Sequence, residues 1–384
     1  MTNPGVLGYP NLAQPNLRPD EFDTTWPQVL PVRLFSYFRQ HSIDHGVWST
    51  AQAPQGSWYP VGLGWHDFAC DYFALVPQLT LARVRAGDIR VLFYYHEGDN
   101  PARIKQRLDH LCGLHDLPAS AYVFISANSA SKDLDNFLYF PDHEPFFAYV
   151  NRRQVAVSGQ APTRRYDFTA LSRTHKWWRA ACMADLAQHG LLRNSLWSYN
   201  STIDIGDRPE DNPIEIDVIP NLREAMHDFL TRGPYTCDSS DETDHNDHRT
   251  VNQDLYDHAH CHIVFETHFD ADQSGGTFLT EKTYKCLKYG QPFVIVGPPG
   301  SLQALRDRGY RVFDHAIDHS YDLIENNTQR WLALRQSLQD LHQRLGREWL
   351  DMCRTDLAWN QAHFYSSHGS LLRKLSDQLT TFTS

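Results

Sequence analysis

The chain has 384 residues, 41% of them apolar and 21% charged, with a formal net charge of −11. This length suffices for two globular domains, and the composition excludes a disordered or fibrous chain. The acidic balance argues against a broad non-specific nucleic-acid surface while leaving room for a local basic cleft.

No apolar run approaches the length of a membrane span, and the first thirty residues hold no apolar signal segment. A soluble, cytoplasmic protein is therefore expected. The seven cysteines are scattered and free of CxxC spacing, which fits reduced structural thiols. Residues 1–30 read as an irregular arm rich in Pro and Asn, and residues 31–60 mix aromatic and polar side chains without a clear period. Apolar spacing over 67–86 fits a helix. Ile89–Tyr95 reads as a strand, followed by the turn His96-Glu97-Gly98-Asp99-Asn100-Pro101, in which Gly98 gives freedom to turn sharply. A helix over about 102–115 starts on that proline, and 121–126 is the next strand. Strands alternating with helices imply a parallel sheet.

Residues 151–165 are basic and turn-rich and read as a linker between a domain over 1–160 and a second over 161–384. A strand over 166–172 comes next. A helix over about 175–189 then follows, with Trp178, Cys182 and Leu186 recurring every four residues as a buried stripe does. Leu196–Tyr199 reads as a strand and 222–230 as a helix. Residues 236–258, poor in apolar side chains and rich in Asp and His, read as an exposed loop.

The densest chemistry lies over 262–297. Ile263-Val-Phe265 is a short β-rich run ended by a carboxylate, Glu266. Gly275-Gly276 allow the next loop to wrap a ligand. Thr280 is a plausible helix N-cap, Glu281 suits a first turn, and Lys282 and Lys285 are spaced to share a helix face. Gly290 stands where a C-cap is expected, ahead of the buried run Phe293–Val296 and the glycine turn Gly297-Pro-Pro. Carboxylates for ribose hydroxyls, cations for phosphates and helix-terminal amides would meet in one crevice, which is a site for an activated nucleotide. The plainer reading of the same residues is a βαβ unit with surface Lys and Glu. Beyond it, 302–308 reads as a short helix and 310–313 as a last strand. Leu334, Leu338, Leu341 and Leu345 mark a long amphipathic helix.

Glu266, the run Thr280-Glu281-Lys282-Thr-Tyr284 and the run Gly290-Gln-Pro292-Phe-Val294 carry a resemblance. Over 262–313 the chain resembles the donor-binding segment of inverting glycosyltransferases of the α1,3-fucosyltransferase kind, and is similar to glycosyltransferase-like proteins of phages and bacteria. A weaker likeness covers 166–200, through Ser172-Arg173-Thr-His-Lys176-Trp-Trp-Arg179. The first 160 residues carry none. The lack of an N-terminal anchor departs from the animal fucosyltransferases.

The resemblance implies an α/β fold of two Rossmann-like domains with an interdomain cleft, GT-B-like. The implied activity is metal-independent, inverting transfer of a sugar from a nucleotide-sugar donor to a hydroxyl of a carbohydrate or other acceptor, without a cofactor. Transfer to a modified base in DNA is an alternative within the class, and a non-catalytic nucleotide- or carbohydrate-binding protein is one outside it. Donor contacts are expected from Arg173, Lys176, Glu266, Thr280, Glu281, Lys282 and Lys285. An inverting transfer also needs a group to take the acceptor proton, and the resemblance implies a carboxylate of the first domain. Glu97 is favoured because it follows the carboxyl end of a parallel strand. His96 beside it is the rival, and His66-Asp67 is a second pair.

Asp270-Ala-Asp272 matches the two-carboxylate pattern that metal-dependent transferases place on a diphosphate, but the basic residues can neutralise the same charge, so no metal is expected. His245, His248, His258, His260 and His262 could gather on a transition metal, with Cys237 and Cys261 nearby in sequence. A solvated polar loop is the favoured reading. A Walker pattern and a Gly-x-Ser-x-Gly elbow are both absent, which removes the common kinase, ATPase and serine-hydrolase readings.

Overall fold

The computed structural model describes residues 52–63, 71–150, 164–202, 208–237 and 252–382, with short segments at 6–7, 34, 36–43 and 47–48. The chain is α/β and divides into two compact units. One comprises Met1–Pro145 with Ser367–Ser384, the other Phe146–Ser366. Of the expected linker, 151–163 lie outside the described residues. Arg164 and Arg165 are already part of the second unit, where Arg164 donates to Gln291 Oε1 at 2.6 Å and the Arg165 amide donates to the His258 carbonyl at 2.9 Å. Among the described residues, no helix is long and apolar enough to cross a membrane.

The first unit holds a six-stranded sheet of β1 (Val6–Leu7), β2 (Val47–Trp48), β3 (Ser57–Gly62), β4 (Ile89–Tyr95), β5 (Tyr122–Ser126) and β6 (Phe137–Tyr139), in the order β2-β1-β3-β4-β5-β6. Every pairing is parallel. Strands β3, β4 and β5 are buried along almost their whole length, as strands of a parallel sheet covered on both faces must be. That explains why 57–62 shows no alternation in sequence. Phe93, Tyr95, Tyr122, Phe124 and Phe137 fill one layer, with Phe124 stacked on Phe137 at 4.9 Å between ring centroids. Helix Pro101–Leu114 is capped by Asn100, whose side chain accepts the Ala102 amide at 3.0 Å, and it buries Ile104, Leu108, Leu111 and Cys112 at helical spacing. The helix expected over 67–86 is broken. Tyr72–Leu75 is a 3₁₀ turn capped by Asp71, and helix Gln78–Arg85 begins only after Pro77, which cannot donate within a helix.

The second unit holds a four-stranded parallel sheet of β7 (Tyr166–Ser172), β8 (Leu196–Tyr199), β9 (Ala259–Phe265) and β10 (Phe293–Val296), ordered β10-β9-β7-β8. Helix Trp177–Gln188 links β7 to β8, and helix Glu281–Tyr289 links β9 to β10. The two crossovers leave the β7–β9 pair in opposite directions. Right-handed connection then puts the two helices on opposite faces. Trp178 packs on Phe265 at 6.1 Å and stacks on Phe269 at 5.2 Å. Asp185, fully buried, accepts Trp331 Nε1 at 2.7 Å and Arg335 Nη1 at 3.0 Å, which ties helix Trp177–Gln188 to helix Asn327–His342.

Three expectations in this unit are corrected. The expected loop over 236–258 contains a short helix, Gln253–Asp257, which Asn252 caps and which buries Leu255 and Tyr256; residues 238–251 lie outside the described residues. Residues 310–313 are not a strand: the Arg311 amide and carbonyl are satisfied by the Asn360 side chain at 2.8 and 2.7 Å, so one amide group does what a neighbouring strand would do. The helix marked by Leu334, Leu338, Leu341 and Leu345 is Asn327–His342, which stops short of Leu345, and a second helix, Arg347–Thr381, follows after 343–346.

Two buried histidines make stability depend on pH. Burial lowers His262 from 6.5 to about 3, helped by Lys285, and lowers His319 to about 4. Each is held neutral in the folded state, so the unfolded chain binds protons that the native one refuses once pH drops below 6.5. Their stabilising effect is complete above that value and is lost progressively as pH falls towards their folded values. In urea unfolding between pH 6.5 and about 4, His262→Phe should lose stability less steeply than the parent chain, by about 1.4 kcal/mol per pH unit. Identical slopes for the two proteins would contradict the assignment.

Candidate functional site

The order β10-β9-β7-β8 places a topological switch point at the carboxyl ends of β7 and β9, where ligands bind in open α/β sheets. The register Ala170↔Ile263 brings both strands to the same edge. Arg173 to Lys176 follow β7 there, and Glu266 and Thr267 follow β9.

Thr267 is the meeting point. Lys176 Nζ donates to its carbonyl at 2.7 Å, and Lys282 Nζ lies 3.4 Å from its hydroxyl and 3.0 Å from Thr280 Oγ1. Two ammonium groups from different crossover helices thus converge on one residue. Helix Glu281–Tyr289 begins beside them, with Thr280 as the N-cap and Gly290 as a left-handed C-cap at φ 62°. The local signals read from sequence specify this helix correctly. Glu281, in its first turn, pairs with Lys282 at 3.2 Å and keeps 14% of its side chain exposed. Arg173 is half-buried at the end of β7.

Glu266 is turned inward. Its carboxylate is fully buried and accepts the Thr280 amide at 3.1 Å, the Thr280 hydroxyl at 2.7 Å, the Thr283 hydroxyl at 2.6 Å and the Thr267 amide at 3.2 Å. Those four donors fill the four lone-pair positions of a carboxylate and leave none for a ribose hydroxyl. Lys285 also departs from the expected arrangement: its ammonium lies 6.0 Å from the Phe147 ring centroid.

Arg179 has a structural role that its place in the sequence did not assign. It is buried, donates from Nη2 to the Glu266 carbonyl at 2.6 Å and from Nη1 to the Thr174 carbonyl at 3.3 Å, and so joins the end of β9 to the turn after β7. A cation three residues after Lys176, hence on the same helix face, was the available sequence signal. Arg173, Lys176, Arg179 and Lys282 bring four cations to this end of the sheet, against the carboxylates of Glu266 and Glu281 and, further along the same edge, those of Asp270 and Asp322.

The other helix start in this segment is already filled. Asp322 accepts the Leu302 amide at 3.0 Å and the Gln303 amide at 3.2 Å, so a carboxylate of the chain itself occupies the N-terminus of helix Ser301–Arg306 after the glycine turn. Burial raises its pKa, while those two amides pull it down. Gly297 sits close under the site, where an added Cβ would stand 3.0 Å from Ser301 Oγ and 3.5 Å from Glu266 Cβ.

The Asp270-Ala-Asp272 pair is divided in role. Asp270 Oδ1 accepts the Asp272 amide at 3.0 Å and the Asn327 side-chain amide at 3.1 Å, capping the turn Ala271–Ser274, and Asp272 is exposed. His260 Nδ1 lies 2.9 Å from the Tyr166 carbonyl, and His262 packs on Tyr256 at 5.1 Å. His245 and His248 lie outside the described residues. Among the described residues, no three His, Cys, Asp or Glu side chains gather in a way that could hold a metal ion.

In the first unit, His96 and Glu97 follow β4 and pair with each other, His96 Nε2 to Glu97 Oε1 at 3.2 Å. His96 is buried, 5.9 Å from the His143 ring, while Glu97 keeps 29% of its side chain exposed. The turn is held by the Asn128 side chain, which donates to the Gly98 carbonyl at 2.8 Å. The order β2-β1-β3 puts the switch point of this sheet between β1 and β3. His66 and Asp67 follow β3 in sequence but lie outside the described residues.

No family model matches the chain, and no curated protein matches it. Among solved structures, it is similar to the DNA-modifying enzyme β-glucosyltransferase, crystallised in the presence and absence of uridine diphosphoglucose. The TM-score is 0.34 at 10% sequence identity, over 91% of this chain and 92% of that one.

Proposed function

We propose that the chain is a glycosyltransferase that moves a sugar from a nucleotide-sugar donor to a hydroxyl acceptor with inversion and without a metal. The observation that carries the reading is the convergence of Lys176 and Lys282 on Thr267, at the switch point of the second sheet and beside the start of helix Glu281–Tyr289. Two ammonium groups and a helix N-terminus favour a ligand with two adjacent negative groups, and a diphosphate is such a ligand. Arg173 adds a planar fork from the neighbouring strand end. Glu281, partly exposed where Glu266 is enclosed, is the carboxylate suited to ribose hydroxyls.

In this reading the acceptor oxygen bonds to the anomeric carbon as the bond from that carbon to the diphosphate oxygen breaks. The electron pair leaves on the diphosphate, where the lysines stabilise the developing charge. The acceptor proton passes to Glu97, the more exposed member of its pair, and His96 behind it orients the carboxylate. Nucleotide released from a panel of nucleotide sugars, with and without acceptors, tests the activity. A chain that binds the nucleotide sugar but never releases nucleotide from it would be a binding protein instead.

Lys176→Ala and Lys282→Ala should each weaken nucleoside diphosphate binding about tenfold or more in calorimetric titration, the loss of one charge-assisted hydrogen bond. Binding should also weaken as salt rises. Glu281→Ala should weaken the nucleoside diphosphate but leave inorganic pyrophosphate unaffected, since pyrophosphate has no ribose. Equal losses for both ligands would remove Glu281 from the ribose role.

Glu97→Gln should lower kcat by about 10²- to 10⁴-fold with little change in donor affinity. Wild-type turnover in this variant, beside a folded but inactive His96→Ala, would transfer the role of base to the histidine.

A further inference from the structure

Glu266 carries a buried carboxylate, and among the described residues no cation pairs with it directly. Its influence is instead handed on. Thr280 Oγ1 donates its proton to Glu266 Oε2 at 2.7 Å. A hydroxyl has one proton, so the remaining lone pairs of Oγ1 must face other donors. Lys282 Nζ is there at 3.0 Å. A second arm runs parallel to the first. The Thr267 amide donates to Glu266 at 3.2 Å, and the Thr267 hydroxyl lies 3.4 Å from the same ammonium. Besides its ion pair with Glu281, the ammonium of Lys282 is therefore held by two threonines that are themselves oriented by one buried carboxylate. Thr280 is only 1% exposed, so its hydroxyl has no bulk water to turn to.

We propose that Glu266 is a positioning residue for phosphate recognition: it touches no ligand, but fixes the Lys282 ammonium at the diphosphate through the Thr280 hydroxyl. The inference rests on the reading of this site as a diphosphate site. It replaces the expectation that Glu266 meets the ribose, and it specifies how the substitution Glu266→Gln acts. The amide has nearly the same size, and its oxygen can still accept from Thr283. Its NH₂ group, however, is a donor where a carboxylate oxygen accepted. With that group on the Oε2 side, beside the Thr267 amide, the Thr280 hydroxyl accepts from it and turns its own proton outward, towards Lys282, which has no lone pair to receive it. The ammonium loses the Thr280 acceptor and keeps only Glu281 Oε1 and the Thr267 hydroxyl.

The test combines calorimetric titration with inorganic pyrophosphate and crystal structures of the parent and variant chains. Glu266→Gln should weaken pyrophosphate binding about tenfold relative to the parent, and Lys282→Ala should do at least the same. The double variant should bind no more weakly than Lys282→Ala alone, because the carboxylate acts through that lysine. Thr280→Ser, which keeps the hydroxyl, should bind as the parent does, and Thr280→Ala should behave like Glu266→Gln. In Glu266→Gln crystals Lys282 Nζ should leave Thr280 Oγ1. Additive losses in the double variant, or Lys282 unmoved in the crystals, would overturn the relay. If Glu266→Gln fails to fold, Thr280→Ala in the same cycle decides the question. A parent chain that binds no pyrophosphate would remove the diphosphate reading, and the position of Lys282 in the variant crystals would then decide the relay by itself.

Discussion

A buried carboxylate organises the carboxyl edge of the second sheet. Glu266 stands where β9 ends, and its four acceptor positions gather the N-cap of the next helix, the first turn of that helix and the residue that follows the strand. Arg179 holds the same residue from the other side through its carbonyl, and reaches the turn after β7 with its second nitrogen. Strand end, helix start and neighbouring strand end are thus fixed to one point. The carboxylate tolerates burial because every lone pair is satisfied; an unsatisfied one would cost several kcal/mol.

Further from this edge, the second unit repeats the device. Asp185 joins two helices through an indole and a guanidinium. Arg330, almost fully buried, donates to the carbonyls of Ile324 and Phe269 and stacks on the Phe269 ring at 4.4 Å. Burial lowers its pKa to about 10, with Asp270 acting in the opposite sense. These struts hold the loop after β9 against the segment that precedes helix Asn327–His342. That loop carries Thr267, so the stiffness of the packing bears on the place where the two lysines meet.

Local signals were read correctly wherever the physics was local. The cap at Thr280, the left-handed stop at Gly290, the proline start of helix Pro101–Leu114 and the short apolar runs of β4, β5, β7, β9 and β10 each follow from residues a few positions apart. Reading failed where the deciding partner was remote in sequence. Strand β3 is buried on both faces and shows no alternation, so only its neighbours reveal it. Residues 310–313 look like a strand, but Asn360 satisfies them. Helix Arg347–Thr381 buries Trp349, Cys353, Leu357, Phe364, Leu372, Leu375 and Leu379 at helical spacing, but the buried polar Asn360 and His368 interrupt that apolar stripe in the sequence.

The α/β class and the parallel sheets were legible along the chain, because strand and helix periods, caps and glycine stops act over a few residues. What each charged group faces emerged only from the packed chain. Glu266 and Glu281 are both carboxylates near one helix start, yet one is enclosed by four donors and the other stays partly exposed. Lys282 and Lys285 are one helical turn apart, yet one rests on two threonines and the other lies over an aromatic ring. Burial and hydrogen-bond partners across strands set these differences, and no spacing along the chain encodes them.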